Sequence, residues 1–297
     1  MDIITLRKAL ESENYIFDEE FLVTVYVALK LEKPLLIEGA AGVGKTEVAK
    51  VLASVFKSEL IRLQCYEGLD ESKALYEWNY QKQLLSIQLN INNENNASNN
   101  SGKKEVEQLF SREFLLERPL IKAINSPEKC VLLIDEIDKT DEEFEAFLLE
   151  ILSDFQVSIP ELGTIKAKNK PIVILTSNNN RPLSDALKRR CAYLYIDYPD
   201  VEKEAAIINA KIPGVTAKLS KEAAAAVAFL RGNNKILKKP SIAETLDWVS
   251  ALMALGKNCL DADGADKTLG FILKNSEDIF EFRKDGGFDG FFDEKHN

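Results

Sequence analysis

Residues 34–57 read PLLIEGAAGVGKTEVAKVLASVFK, and this stretch decides the fold. Leu35, Leu36 and Ile37 form the apolar run of a buried strand, which breaks into Gly39-Ala40-Ala41-Gly42-Val43-Gly44-Lys45-Thr46. That octet fits the phosphate-loop pattern G-x-x-x-x-G-K-[ST] at every fixed position. Behind it Val48, Val51, Leu52, Val55 and Phe56 recur at helical spacing, which predicts a helix from about Lys45 with Glu47 in its first turn. Each residue type has a physical job here. Glycine lets backbone N–H groups turn inward toward a polyphosphate, and the helix N-terminus adds positive potential. Lys45 is a point charge for the outer phosphates, and the Thr46 hydroxyl can ligate Mg²⁺. The alternative is a glycine turn that binds nothing; a strand before and a helix after favour a nucleoside triphosphate, with residues 39–47 as its contacts.

The chain has 297 residues, enough for one large domain or two smaller ones. A net charge of −10 and an isoelectric point near 5.0 argue against a chain built mainly to coat nucleic acid or an anionic membrane. No apolar segment approaches the roughly 18 residues of a membrane span. Cys65, Cys130, Cys191 and Cys259 are widely spaced, which indicates reduced thiols in a cytoplasmic protein rather than a zinc site or a disulfide framework. The one histidine, His296, stands in the C-terminal tail, which disfavours Ser-His-Asp chemistry and histidine-ligated metals.

Outward from the phosphate loop, residues 4–31 read as helical with a break near 13–17, and Leu60–Gln64 as a second strand. An Asn-rich insertion, residues 89–104, reads as a mobile surface loop. Helical spacing resumes from Glu105 to about Asn125. Cys130–Ile134 is a wholly apolar run that fits a central parallel strand, and it ends in Asp135-Glu136. Acidic residues at a strand's carboxyl end stand at the rim where open α/β sheets bind ligands. There Asp135 would hold Mg²⁺ through water and Glu136 would act as general base on the attacking water. Asp138, Asp141 and Glu142 read as a solvated acidic face, and Thr140-Asp-Glu-Glu143 as a capping box. Residues 155–167 read as a hairpin, and Pro171–Thr176 as a strand whose following Asn178 can position a water, although an Asn there is also a common turn residue. Residues 184–191 form a short helix with Lys188, Arg189 and Arg190. Without an NKxD motif, adenine is favoured over guanine. From Tyr198 onward helix follows helix.

The series phosphate loop, LLIDEID, hairpin, TSNNNRPLSDALKRRC and KPSIAETLDW resembles the AAA+ ATPases over most of the chain, with the fit closest to the MoxR family and its CoxD-like group. The resemblance implies an α/β fold, a doubly wound parallel sheet in residues 1–198, with an all-helical lid in 199–283 and a flexible tail in 284–297. It implies ATP and Mg²⁺ as ligands, Lys45 and Thr46 in Walker A, Asp135 and Glu136 in Walker B, and Asn178 as the first sensor. Arg190 resembles the arginine finger, with the adjacent Arg189 as the alternative. The implied assembly is a hexameric ring that remodels a client, such as a metalloenzyme, beside a von Willebrand A-domain partner. A second-sensor arginine has no clear match, because Ala243 and Glu244 stand at the aligned positions, with Lys238 or Lys239 as the substitute. The competing expectation is a DNA motor or loader using Lys188–Arg190 and Lys235–Lys239 as phosphate contacts.

Overall fold

The structure is a computed structural model that describes residues 1–94, 109–160 and 162–294. The chain divides into two compact units: residues 1–23, 39–51 and 195–297 form one, and residues 24–38 and 52–194 the other. The phosphate loop therefore groups with the C-terminal helices.

The second unit is built on five strands. β1 (Leu35–Glu38), β2 (Leu60–Gln64), β5 (Val131–Asp135), β8 (Ile172–Ser177) and β9 (Ala192–Tyr195) lie in the order β2-β5-β8-β1-β9. The pairs β2–β5, β5–β8 and β8–β1 are parallel. Every residue of β1, β5 and β8 is buried, as their unbroken apolar runs predict. β2 instead alternates, with Ile61 and Leu63 inward and Arg62 and Gln64 exposed. Register aligns Gln64 with Asp135 and Glu38 with Ser177, so the carboxyl ends of these strands form one polar rim. This is the doubly wound arrangement expected from the sequence, and its rim is where such sheets bind ligands.

Two small antiparallel pairs complete the strands: β3 (Tyr76–Trp78) with β4 (Leu115–Glu117), and the expected hairpin β6 (Gln156–Ile159) with β7 (Gly163–Lys166). β4 corrects the reading of 105–125 as continuous helix. Pro119 pushes Arg118 into extended backbone and then starts the helix Pro119–Asn125. A helix Tyr80–Glu94, opened by Asn79 accepting from Lys82 N at 2.9 Å, runs into the residues read as the start of the Asn-rich loop. Once nucleated, helix propagates through poor formers. Residues 95–104 of that insertion lie outside the described residues.

The first unit holds the helices Val201–Lys211, Ala217–Gly232, Ile242–Ala254 and Ser276–Lys284 around Trp248, Val249 and Leu252. Ser241 and Glu244 form the expected capping box. Residues 284–294 of the tail are packed, contrary to their Gly- and Asp-rich composition, and 295–297 lie outside the described residues. Positive φ at Gly286 and Gly287 turns the chain back, and Phe288 and Phe291 bury against the core, with the Phe288 ring stacked 5.9 Å from Trp248. A buried ion pair braces the same unit. Arg231 donates to both Glu204 oxygens and to the Pro240 carbonyl, Thr245 donates to Glu204, and Arg231 covers the Tyr198 ring. With its lone pairs met in this way the Glu204 charge is tolerated in a core.

Candidate active site

Past β1 the chain forms a loop that ends in the helix Lys45–Val55. Gly42 has φ +76°, and a Cβ built on it would lie 2.2 Å from Ser241 Cβ. The Gly42 carbonyl accepts from Ile242 N at 3.1 Å, so the loop is seated on the first turn of the helix Ile242–Ala254. Only glycine fits there. Gly44 also has positive φ, +95°, and open space where a side chain would stand. Lys45 is buried, and its ammonium donates to the carbonyls of Gly39 at 2.8 Å and Ala40 at 2.6 Å, which places the cation within the curve of the loop. Val43 is buried, whereas Ala40 and Ala41 lie toward the surface. Glu47 turns to Lys211 at 2.8 Å and Lys50 at 3.4 Å; burial opposes its charge, yet the two ammonium groups hold its carboxyl below the ordinary range.

In the other unit the acidic pair at the end of β5 is held from the two flanking strands, β2 and β8. Asp135 is 2% exposed. Its Oδ1 accepts from Thr176 Oγ1 at 2.5 Å, and its Oδ2 accepts from Arg62 Nε at 3.0 Å and from Arg62 Nη2. Glu136 sits in left-handed backbone, φ 60° and ψ 49°, a conformation that costs a non-glycine residue roughly 1 kcal/mol. Its amide donates to Thr176 Oγ1 at 2.9 Å, so one hydroxyl on β8 fixes both acids. The turn aims the Glu136 carboxylate along the rim, where Oε1 accepts from Asn178 Nδ2 at 3.3 Å. Oε2 accepts from Gln64 Nε2 at 2.9 Å and from Lys139 Nζ at 2.7 Å.

Asp138 corrects the solvated-face reading. It is 4% exposed, and its two oxygens accept from Asn178 N at 3.1 Å and Asn180 N at 3.0 Å, which holds the turn carrying the Asn178 amide. The capping box expected at Thr140 is also shifted. Asp141 is the N-cap of the helix Glu142–Asp154, accepting from Phe144 N at 2.8 Å, while the Thr140 hydroxyl donates to the Ile137 carbonyl. Behind them Arg181 donates to the Thr140 carbonyl and pairs with the buried Glu145.

Glu38, buried at the end of β1, accepts from Tyr193 Oη at 2.9 Å and faces Lys188 Nζ at 3.5 Å. Lys188 and the buried Leu187 anchor the helix Asp185–Arg190. Arg189 and Arg190 stand exposed beyond them, and their side chains make no hydrogen bond or ion pair among the described residues. In the lid sequence, Lys239 Nζ donates to the Asn233 carbonyl at 2.6 Å, Lys238 is exposed, and Glu244 closes its own capping box.

Sequence reading missed Arg62, Gln64, Lys139, Thr176, Asp138 and Glu38. The alternation of β2 was the available signal for two of them, since Arg62 and Gln64 share a face and register sets Gln64 beside Asp135.

Comparison with known proteins agrees with this arrangement. Residues 34–191 match the AAA domain, dynein-related subfamily. An uncharacterized protein of Staphylococcus aureus is 29% identical over 177 residues, covering 57% of each chain. The uncharacterized protein YojN of Bacillus subtilis is 29% identical over 194 residues, 63% of this chain and 54% of its own. The chain thus spans a little over half the length of these curated relatives. A proline-to-glycine mutant of RuvB from Thermotoga maritima superposes with a TM-score of 0.51 at 19% identity, over 89% of this chain and 73% of that one, a likeness of fold. With more than half of its length in the matched domain, the chain belongs to the dynein-related subfamily of AAA domains.

Proposed function

We propose that this chain hydrolyses Mg-ATP with Glu136 as general base, as one subunit of a cytoplasmic MoxR-type ring that remodels a client protein. The observation that carries the reading is the Glu136 carboxylate, strained into the rim and met there by the Asn178 amide. The residues present fit the ligand. Gly44 leaves open space on the inner loop, Lys45 already directs its ammonium into the loop, and Asp135 is a buried carboxylate on the ligand-binding rim. Among the described residues no cluster of three or more His, Cys, Asp or Glu could cage a metal unaided, which fits Mg²⁺ arriving with phosphate and water ligands. Thr46 and Asp135 would hold that Mg²⁺, which neutralises charge on the phosphates.

The chain's own residues divide the remaining work. The backbone of residues 39–47 cradles phosphate, with Lys45 on the outer groups. The Asn178 amide orients a water, and Glu136 takes its proton as the water attacks. Arg190, with Arg189 as the alternative, stands exposed at the end of its helix, which supports an arginine acting in trans on the transition-state charge. The MoxR resemblance extends this to a hexamer, a von Willebrand A-domain partner and a client that includes metalloenzymes. Four free cysteines fit a reducing cytoplasm, and among the described residues no helix is long and apolar enough to cross a membrane.

The net charge of −10 favours a protein client over duplex DNA. Steady-state ATPase assays on the full chain, with and without plasmid DNA, test that choice. Turnover unaffected by DNA is the expected result. Stimulation by DNA would overturn the remodelling reading in favour of a DNA motor.

A further inference from the structure

A carboxylate buried as deeply as Asp135 needs a cation or several donors beside it, because an isolated charge is expensive in a core. The chain supplies its own. Arg62 stands two residues before Gln64 on the same face of β2, and its guanidinium grips Asp135 Oδ2 through both Nε and Nη2. Gln64 Oε1 accepts from the same Nη2, which holds the fork flat against the rim. Arg62 is 52% exposed on its side chain whereas Asp135 is 3% exposed, so the cation can swing into water and the carboxylate cannot follow.

We propose that Arg62 competes with Mg²⁺ for the Asp135 carboxylate and thereby sets the metal requirement of this ATPase. This rests on the reading of Asp135 as a holder of Mg²⁺. Without metal, the guanidinium neutralises the buried charge and keeps Asp135 in its rotamer against Thr176. A divalent ion brought to that carboxylate meets a like charge already on Oδ2, so Arg62 must loosen as the metal settles. The competition raises the metal concentration at which the complex forms. Arg62 is thus a positioning residue with a measurable cost in metal affinity.

Electron paramagnetic resonance of free Mn²⁺, titrated into the full chain saturated with ADP, reads metal binding without turnover. Arg62→Ala and Arg62→Gln should each tighten Mn²⁺ about fivefold, the scale of a half-exposed charge pair. Arg62→Lys keeps the charge and should stay within about twofold of the parent chain. ADP affinity in EDTA should not move in any of the three. Unchanged or weaker Mn²⁺ binding in both neutral variants would overturn the competition, as would Arg62→Lys tightening as far as Arg62→Ala. Asp135→Asn separates the two readings. Weakened Mn²⁺ binding in that variant supports Asp135 as the holder whatever Arg62 does, and unchanged binding removes that reading and the competition with it.

Discussion

The Thr176 hydroxyl lies 2.5 Å from Asp135 Oδ1 and donates to it. The Thr176 oxygen also accepts from the Glu136 amide at 2.9 Å, so a side chain on β8 fixes the last residue of β5 and the residue after it. Thr176→Val keeps the shape and removes both bonds. The buried Asp135 oxygen is then short of a donor, which costs about 1–3 kcal/mol in stability. ATP turnover should fall about tenfold, for a loss on the order of 1.4 kcal/mol in transition-state stabilisation. Thermal unfolding and steady-state hydrolysis check both, with Thr176→Ser expected to recover most of each.

Asp138 is a second determinant outside the phosphate loop. Its oxygens each take one backbone N–H from the turn at Asn178–Asn180. Asp138→Asn turns one acceptor into a donor that faces an N–H. We expect turnover to drop about tenfold or more while ATP affinity changes little, because the water-positioning amide is displaced and the phosphate loop is untouched. Parallel calorimetry and turnover measurements separate the two quantities.

The fold was largely legible in the sequence, because strands buried on both faces announce themselves as apolar runs and the phosphate loop has a fixed pattern. β1, β5 and β8 were read to within a residue for that reason. The site was legible only where residue type and strand end coincide, as at Asp135, Glu136 and Asn178. Asp138 looked like one acid among many, since nothing local distinguishes a carboxylate that will meet two amides 40 and 42 residues away. Residues 284–294 looked loose for the opposite reason: Gly and Asp lower their mean hydropathy, while two phenylalanines do the packing.

The thiols offer a check on the cores. Burial, with Asp135, Asp138 and Glu136 nearby, pushes the Cys65 thiol up to about 12, and burial pushes Cys191 up to about 12 as well. Both stay protonated across the working range, becoming thiolates only as pH approaches those values. At pH 8, iodoacetamide should label Cys259 well before Cys65 or Cys191 in the folded chain, with all reacting after denaturation. Peptide mass spectrometry reads the order.

Arg190 is exposed with no described partner in its own chain, as an arginine destined for a neighbour would be. Arg190→Ala and Glu136→Gln should each be nearly inactive alone. Mixed in equal amounts under subunit exchange, about a quarter of interfaces would join an intact Glu136 to an intact Arg190. Recovered turnover is the expected result. Zero recovery despite exchange would remove the trans role, and a fully active Arg190→Ala chain would move it to Arg189.

We assign the proton of the attacking water to Glu136. Glu136→Gln keeps the size of the side chain and its contacts with Asn178 and Gln64 within reach while removing the base. Calorimetry and steady-state hydrolysis on that one variant test the claim directly. ATP should bind within a few-fold of the parent chain while turnover falls by a factor on the order of 10² or more. Turnover equal to that of the parent chain, with ATP bound, would contradict the assignment.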